Sequence, residues 1–248
     1  VRIRAKPGTI IKCVLFLGLC GFLLRPQLFG WLFEPFTHHR APAIYTQNSL
    51  LQLTVNHLLL VGVATLTATL ISVTLGVLTT RKSGQEFLPL SRAVANLGQT
   101  FPPVAVLALA VPIFGFGSVP TFIALLLYGL LPIFENTLTG LTELDDTVIE
   151  AGRGMGMTDK QLLFQVELPL ALPVILSGIR LSTIISIGTA TIGSTVAAST
   201  LGEVIVAGLL SGNTAFVLQG GIIVATLAVL INSVLVFTET KLRGKTQQ

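Results

Sequence analysis

The sequence predicts an all-α integral membrane protein with about six transmembrane helices and both termini in the cytoplasm. Of its 248 residues, 52% are hydrophobic and only 10% are charged, with a mean hydropathy of +0.84. A soluble domain carries about 25% charged residues, so this chain lacks the polar surface to cover itself in water. Six stretches, near 9–25, 50–79, 90–114, 119–140, 176–198 and 215–237, are apolar over about the 20 residues that a spanning helix needs. Charge placement is the third observation. With the N-terminus inside, thirteen of the fifteen Lys and Arg residues fall on the inner side and only Arg25 and Arg40 on the outer. The positive-inside rule selects this orientation over its inverse. The net charge of +4 is then loop charge that sets topology rather than the footprint of a nucleic acid.

Taken in order, the first stretch follows Arg2, Arg4 and Lys6, and its "LGLC" ends at Cys20, which invites a signal-peptide or lipoprotein reading. Leu19 is too large for a small-residue cleavage site, and five more apolar stretches follow, so the first helix is read as retained. Cys13 and Cys20, seven residues apart on one helix, stand roughly 10 Å apart along its axis, beyond disulfide reach. Residues 26–48 form an outer segment rich in Pro and aromatics, with His38 and His39 solvated. The second stretch is long enough to begin in the interface. Pro102, Pro103 and Pro112 are expected to kink the third. A tight "GFGSVP" turn precedes the fourth, and "STLGEVIVAGLLSGNTA", between the fifth and sixth, is too apolar for a free loop and reads as a re-entrant or interfacial helix. The organisation is an N-terminal helix with its external segment (1–48), a membrane core (49–240) with a cytoplasmic loop near 143–173, and a basic tail (241–248).

That loop interrupts the apolar pattern. Six of the eleven acidic residues lie between Glu143 and Glu167, with Arg153 and Lys160 the basic residues among them. Thr147-Val148-Ile149-Glu150 has capping-box spacing, with Asp145 as a competing N-cap. Gly156 suits a helix stop. Thr158-Asp159-Lys160-Gln161 is a second capping box, opening a helix that Pro169 disturbs near Leu168. The pattern predicts helix, glycine turn, helix, lying at the membrane surface. Gly152 and Gly154 each cost the first helix up to about 1 kcal/mol relative to alanine. In return they offer a surface without side chains, suited to close docking; a plain solvated connection is the other reading. Glu150, Arg153, Met155 and Met157 on such a helix present thioether surface with charges that set register, while Glu150 also fits the local role of N3 in the first box.

The spacing carries a resemblance. Glu150-Ala151-Gly152, three residues, Gly156, nine residues, then Val166-Glu167-Leu168-Pro169 resembles the EAA loop of bacterial ABC-importer permeases, whose pattern is Glu-Ala-Ala, three residues, Gly, nine residues, Ile-x-Leu-Pro. Gly152 replaces the second Ala and Val166 the Ile; the spacing is kept. "GQTFPPVAVLALAVPIFGFG", "LYGLLPIFENTLTGL", "GMGM", "VELPLALPVILSGIR" and "IGTATIGSTVAASTLG" are similar to the branch that imports osmoprotectants such as glycine betaine and choline, with Glu135 a departure. The resemblance implies the type I importer permease fold in a bacterial inner membrane. It implies cytoplasmic ABC ATPase subunits bound at the loop, an external solute-binding protein, and a second permease, either another copy or a paralogue. ATP is then used by the partner, and this chain binds no cofactor. By resemblance Glu150, Ala151, Gly152 and Gly156 line the ATPase contact, with Leu168 and Pro169 closing the motif.

Polar residues within the spans are candidates for the solute pathway: Gln99, Thr100, Glu135, Asn136, Ser186, Thr189, Thr191 and Ser194. Glu135 stands out because a carboxylate in a span is costly and commonly functional, although water or a basic neighbour near the cytoplasmic end can satisfy it. The small residues across 188–198 fit close helix packing. Gly244-Lys245-Thr246 resembles the end of a phosphate-binding loop, but the earlier glycine would fall at Glu239 and no strand precedes it. No His, Cys or carboxylate cluster has metal-ligand spacing. A secondary transporter, which would couple through intramembrane carboxylates, and an ABC permease for other solutes such as amino acids are the rival readings; no inverted repeat supports the first.

Overall fold

A computed structural model of the protein describes residues 7–37 and 41–246; His38, His39 and the first basic cluster lie outside them. Among the described residues the chain is all helical, without strands. The helices are α1 (Pro7–Leu24), α2 (Gly30–Phe33), α3 (Leu50–Thr80), α4 (Leu88–Thr100), α5 (Pro103–Phe114), α6 (Ser118–Thr142), α7 (Asp146–Gly154), α8 (Asp159–Leu162), α9 (Leu168–Thr189), α10 (Gly202–Ser211) and α11 (Thr214–Thr246). Among the described residues, four helical runs are long and apolar enough to cross a membrane: Leu50–Thr80, Ser118–Thr142, Asp159–Val196 and Thr214–Leu242. Two bent pairs bring the number to six if each is one span: Gly8–Leu24 with Pro26–Phe36, and Gln85–Thr100 with Pro103–Phe114.

One expectation needs correction, and another is met in a particular form. The stretch 90–114 is not a kinked helix but a broken one, its halves meeting at 98°. Phe101 is extended (φ −102, ψ 137), as the residue before a proline prefers, and Pro102 and Pro103 together remove two consecutive backbone donors. Pro112 is accommodated inside α5. The disturbance expected near Leu168 is present, as a π-helical turn that the second loop helix runs through. α8, a π-helical turn at Leu163–Glu167 and α9 run on as one 38-residue helix from Asp159 to Val196. The Leu168 N–H donates to the Leu163 carbonyl, so the wider turn accommodates the Pro169 ring and the donor it lacks. At 1.5 Å per residue this run is about 57 Å long, nearly twice the ~30 Å hydrocarbon core. Its N-terminal part therefore extends well beyond an apolar slab.

By backbone proximity the described residues form two compact units, one within 1–61, 107–122 and 187–232, the other within 62–106, 123–186 and 233–248. In the first, Phe22, Phe33, Tyr45, Leu53, Leu201, Val204, Phe216 and Ile223 share one core. The segment 41–48 is strapped onto it. Gln219 Oε1 accepts from the Tyr45 N–H at 3.1 Å while its amide donates to the Ala43 carbonyl at 2.7 Å, and Asn213 Nδ2 donates to the Pro42 carbonyl at 2.9 Å. The apolar segment after residue 198 forms α10, a short helix as expected. Before it the chain tightens into a 3-10 run, Ala190–Val196, where Gly193 faces Thr121 and a Cβ on Gly193 would stand 2.4 Å from that side chain. In the second unit Ala68, Ala95, Ile133 and Phe134 form the core beside Leu141, Ala171 and Ile175. There α4 meets α6 backbone to backbone: a Cβ on Gly98 would lie 2.1 Å from the Leu127 carbonyl oxygen.

Candidate coupling site

The polar loop folds as a helical hairpin within the second unit. Asp145, not Thr147, caps α7: its Oδ1 accepts from the Thr147 N–H at 2.9 Å and from the Thr147 hydroxyl at 2.7 Å. Those two bonds hold the Asp145 carboxyl below the usual carboxylate range. Glu150 is thus freed from the N3 role that a cap at Thr147 would have given it, and it stands exposed. α7 ends in a Schellman motif. The Gly156 N–H donates to the Arg153 carbonyl at 2.9 Å and the Met157 N–H to the Gly152 carbonyl at 3.2 Å, with Gly156 at φ +81. The second capping box forms as the spacing predicts: the Thr158 N–H donates to Gln161 Oε1 at 2.9 Å, and the Gln161 N–H to Thr158 Oγ1 at 3.4 Å.

The hairpin has an inner and an outer face. Gly152 is buried inside, where a Cβ would stand 2.6 Å from Leu162 Cδ1 and 3.5 Å from Met157 Sδ. Its missing side chain serves the packing of the hairpin on itself. Glu150, Ala151, Arg153, Gly154 and Gly156 face outward, with Met155 73% exposed and Met157 half-buried. Two apolar residues that the sequence reading passed over, Val148 and Phe164, are also exposed, Phe164 at 67%. An uncovered aromatic at the start of a π-helical turn is visible only once that turn is placed.

A second feature escaped the sequence. Glu167, 6% exposed, forms a two-pronged ion pair with Arg81 just beyond the end of α3: Nη1 donates to Oε1 at 3.1 Å and Nη2 to Oε2. The pairing spans 86 residues of sequence, so no local pattern signals it. Leu168 is half-buried near Leu141, Ala171 and Ile175, whereas Pro169 is exposed. The hairpin is therefore fixed to α3 by charge and to α6 by apolar packing.

Most of the polar residues within the spans are engaged. Thr100 and Thr191 donate to carbonyls of their own helical turns, Leu97 and Gly188, at 2.8 and 2.7 Å, and Asn136 donates to the Pro132 carbonyl at 2.8 Å. Ser194 bonds Thr200 Oγ1 at 2.8 Å, and Ser186 is fully buried. Thr189 is half-buried at the entrance to the 3-10 run. Gln99 and Glu135 each bridge α4 and α6, at separate points along that contact. Gln99 Nε2 donates to the Tyr128 carbonyl at 3.1 Å, and Arg92 meets Glu135 through Nε (2.7 Å) and Nη2 (3.0 Å). Arg92 is the basic neighbour that satisfies the intramembrane carboxylate. Thr189 and Thr191 belong to the other compact unit.

Residues 40–244 match the family model described as binding-protein-dependent transport system inner membrane component. The chain is 40% identical over 200 residues to the osmoprotectant import permease protein OsmY of Salmonella typhimurium, covering 81% of this chain and 85% of the relative. It is 39% identical over 207 residues to the choline transport system permease protein OpuBB of Bacillus subtilis, covering 83% and 94%. A solved inward-facing conformation of the MetNI methionine ABC transporter superposes with a TM-score of 0.68 at 22% identity, over 79% of this chain and 99% of that one.

Proposed function

The chain belongs to the inner membrane components of binding-protein-dependent transport systems, and we propose that it forms the solute pathway of an ATP-driven importer for osmoprotectants such as choline, glycine betaine and related quaternary amines. The carrying observation is the likeness to OsmY and OpuBB, close to 40% identity over four-fifths of this chain. The permease couples to separate ATPase subunits through the exposed face of the α7–α8 hairpin. Glu150 and Arg153 set register, and Met155, Val148 and Phe164 supply apolar contact. Gly154 and Gly156 keep the approach open. This hairpin and both termini lie in the cytoplasm, as the charge distribution requires.

In this reading ATP closes the ATPase dimer, and the docked hairpin is displaced with it. The Arg81–Glu167 pair and the packing of Leu168 transmit that displacement to α3 and α6. The pathway then alternates between states that differ in which partner they bind best. The chain hydrolyses nothing and binds no cofactor; a second permease, as a copy or a paralogue, completes the pathway, and an external binding protein delivers the solute.

Proteoliposomes holding the assembled transporter test the reading. Uptake of labelled choline or glycine betaine is expected to require both internal ATP and the external binding protein. Uptake by the permease alone, driven by an ion gradient, would establish the secondary-transporter reading instead. The methionine transporter likeness, at 22% identity, speaks to the fold and not to the cargo.

A further inference from the structure

In the first compact unit a cleft of about 560 Å³ opens between the strap 41–48 and α10, lined among others by Pro42, Gln47, Glu203, Ala207, Leu210 and Phe216. Its size falls within the ~300–1,000 Å³ of small-molecule sites. Glu203, in the first turn of α10, is the charged residue among the described lining residues. Its carboxylate is built into the strap: the Tyr45 hydroxyl donates to Oε1 at 2.5 Å, and Asn48 Nδ2 donates to the same oxygen. Burial, and then this carboxylate, hold the Tyr45 phenol well above its ordinary range. Both bonds use Oε1, which leaves Oε2 for another donor or charge.

Apart from the exposed Gln47, the other polar side chains of the cleft are committed internally. The Ser211 hydroxyl donates to the Ala207 carbonyl at 2.6 Å, and Ser194 bonds the Ala198 carbonyl and Thr200 Oγ1. Asn213 donates to the Pro42 carbonyl and accepts from the Ala215 N–H at 3.1 Å. What the cleft offers a ligand is therefore apolar surface that includes Phe216, the Gln47 amide and one carboxylate. An anion meets repulsion there, and a hydrogen-bonding sugar finds only one amide and one carboxylate. A cation clothed in alkyl groups finds both of its needs.

We propose that this cleft binds a small organic cation of the quaternary ammonium class, with Glu203 as counter-charge. The inference rests on the osmoprotectant reading for its relevance and sharpens it. A zwitterion that carries its own carboxylate meets repulsion from Glu203 where a simple cation does not, so the cleft prefers choline to glycine betaine.

The test is equilibrium binding of labelled choline to the assembled transporter in nanodiscs, without the external binding protein. Choline is expected to bind at least about tenfold more tightly than glycine betaine or 3,3-dimethylbutan-1-ol, its uncharged isostere. Glu203→Gln keeps the acceptor for Tyr45 and Asn48 and is expected to weaken choline binding at least about tenfold. Ala207→Phe, which fills the cleft and leaves the carboxylate, is expected to do the same. ATPase co-purification should be unchanged in both variants. Three results would overturn the proposal: choline binding unaffected by both variants, equal binding of the alcohol, or no choline binding by a complex that imports it normally. If Glu203→Gln abolishes association of the binding protein but spares choline, the carboxylate serves a protein cation and the proposal also fails. The importer reading survives each of these outcomes, because it is tested by the ATP dependence of uptake.

Discussion

Gly156 is the residue on which the hairpin turns. At φ +81 any side chain incurs the left-handed penalty, about 1–2 kcal/mol. Gly156→Ala is expected to destabilise the hairpin by that amount, read as faster amide exchange at Met157, whose N–H closes the turn. Gly152 acts by a different route: Gly152→Val forces Leu162 aside and should loosen the same amides while leaving Glu150 and Arg153 outward. The Arg81–Glu167 pair is a third single-residue test. Glu167 is nearly buried, whereas the Arg81 side chain is 31% exposed. Glu167→Gln should therefore cost about 1–3 kcal/mol, below the 3–5 of a fully buried pair. The exchanged double variant, Arg81→Glu with Glu167→Arg, should recover part of the loss in a double-mutant cycle. Simple additivity of the two changes would contradict a direct pairing.

At the scale of elements, the hairpin depends on its caps. Thr158→Ala removes one half of the capping box and is expected to cost about 1 kcal/mol, seen as earlier proteolysis near residue 158. The α7 cap carries a pH signature. The Asp145 carboxyl is held low by its two bonds from Thr147, so its contribution is complete above the ordinary carboxylate pKa and is lost as pH falls through the lowered value. Protection of the Thr147 amide should fall over that acidic range in the native protein and be flat with pH in Asp145→Asn. Much of this was legible in the sequence, because caps, glycine stops and apolar runs are local signals. Thr158 with Gln161, Gly156 and the four long helices follow from spacing alone. What the sequence leaves open is where local rules compete, and what it misses is where distant residues meet. Asp145 outcompeted Thr147 as a cap because its carboxylate reaches both the amide and the hydroxyl of Thr147. Pro169 disturbs its helix near Leu168 as expected, through a π-turn that lets the helix run on, whereas Pro102-Pro103 broke one that a single proline would have bent. The pairs Arg81–Glu167 and Arg92–Glu135 link residues 86 and 43 positions apart, beyond any window of local pattern.

For the whole molecule, composition and charge asymmetry already exclude a soluble protein, and the motif spacing singles out one polar loop out of 248 residues as the proposed contact with an energy source. The fold adds what spacing does not contain: an outward face of Glu150, Arg153, Met155 and Phe164, and an inward one built on Gly152 and Leu162. That division makes the central claim testable by position. In a Cys13→Ser, Cys20→Ser background, Met155→Cys places a thiol on the outward face, and Leu24→Cys places one at the exposed end of α1. Treatment of the assembled transporter with a short bifunctional maleimide is expected to link the ATPase to position 155 and not to position 24, with loss of the adduct when Glu150→Lys is added. Adducts at neither position, or equally at both, would contradict docking through the hairpin.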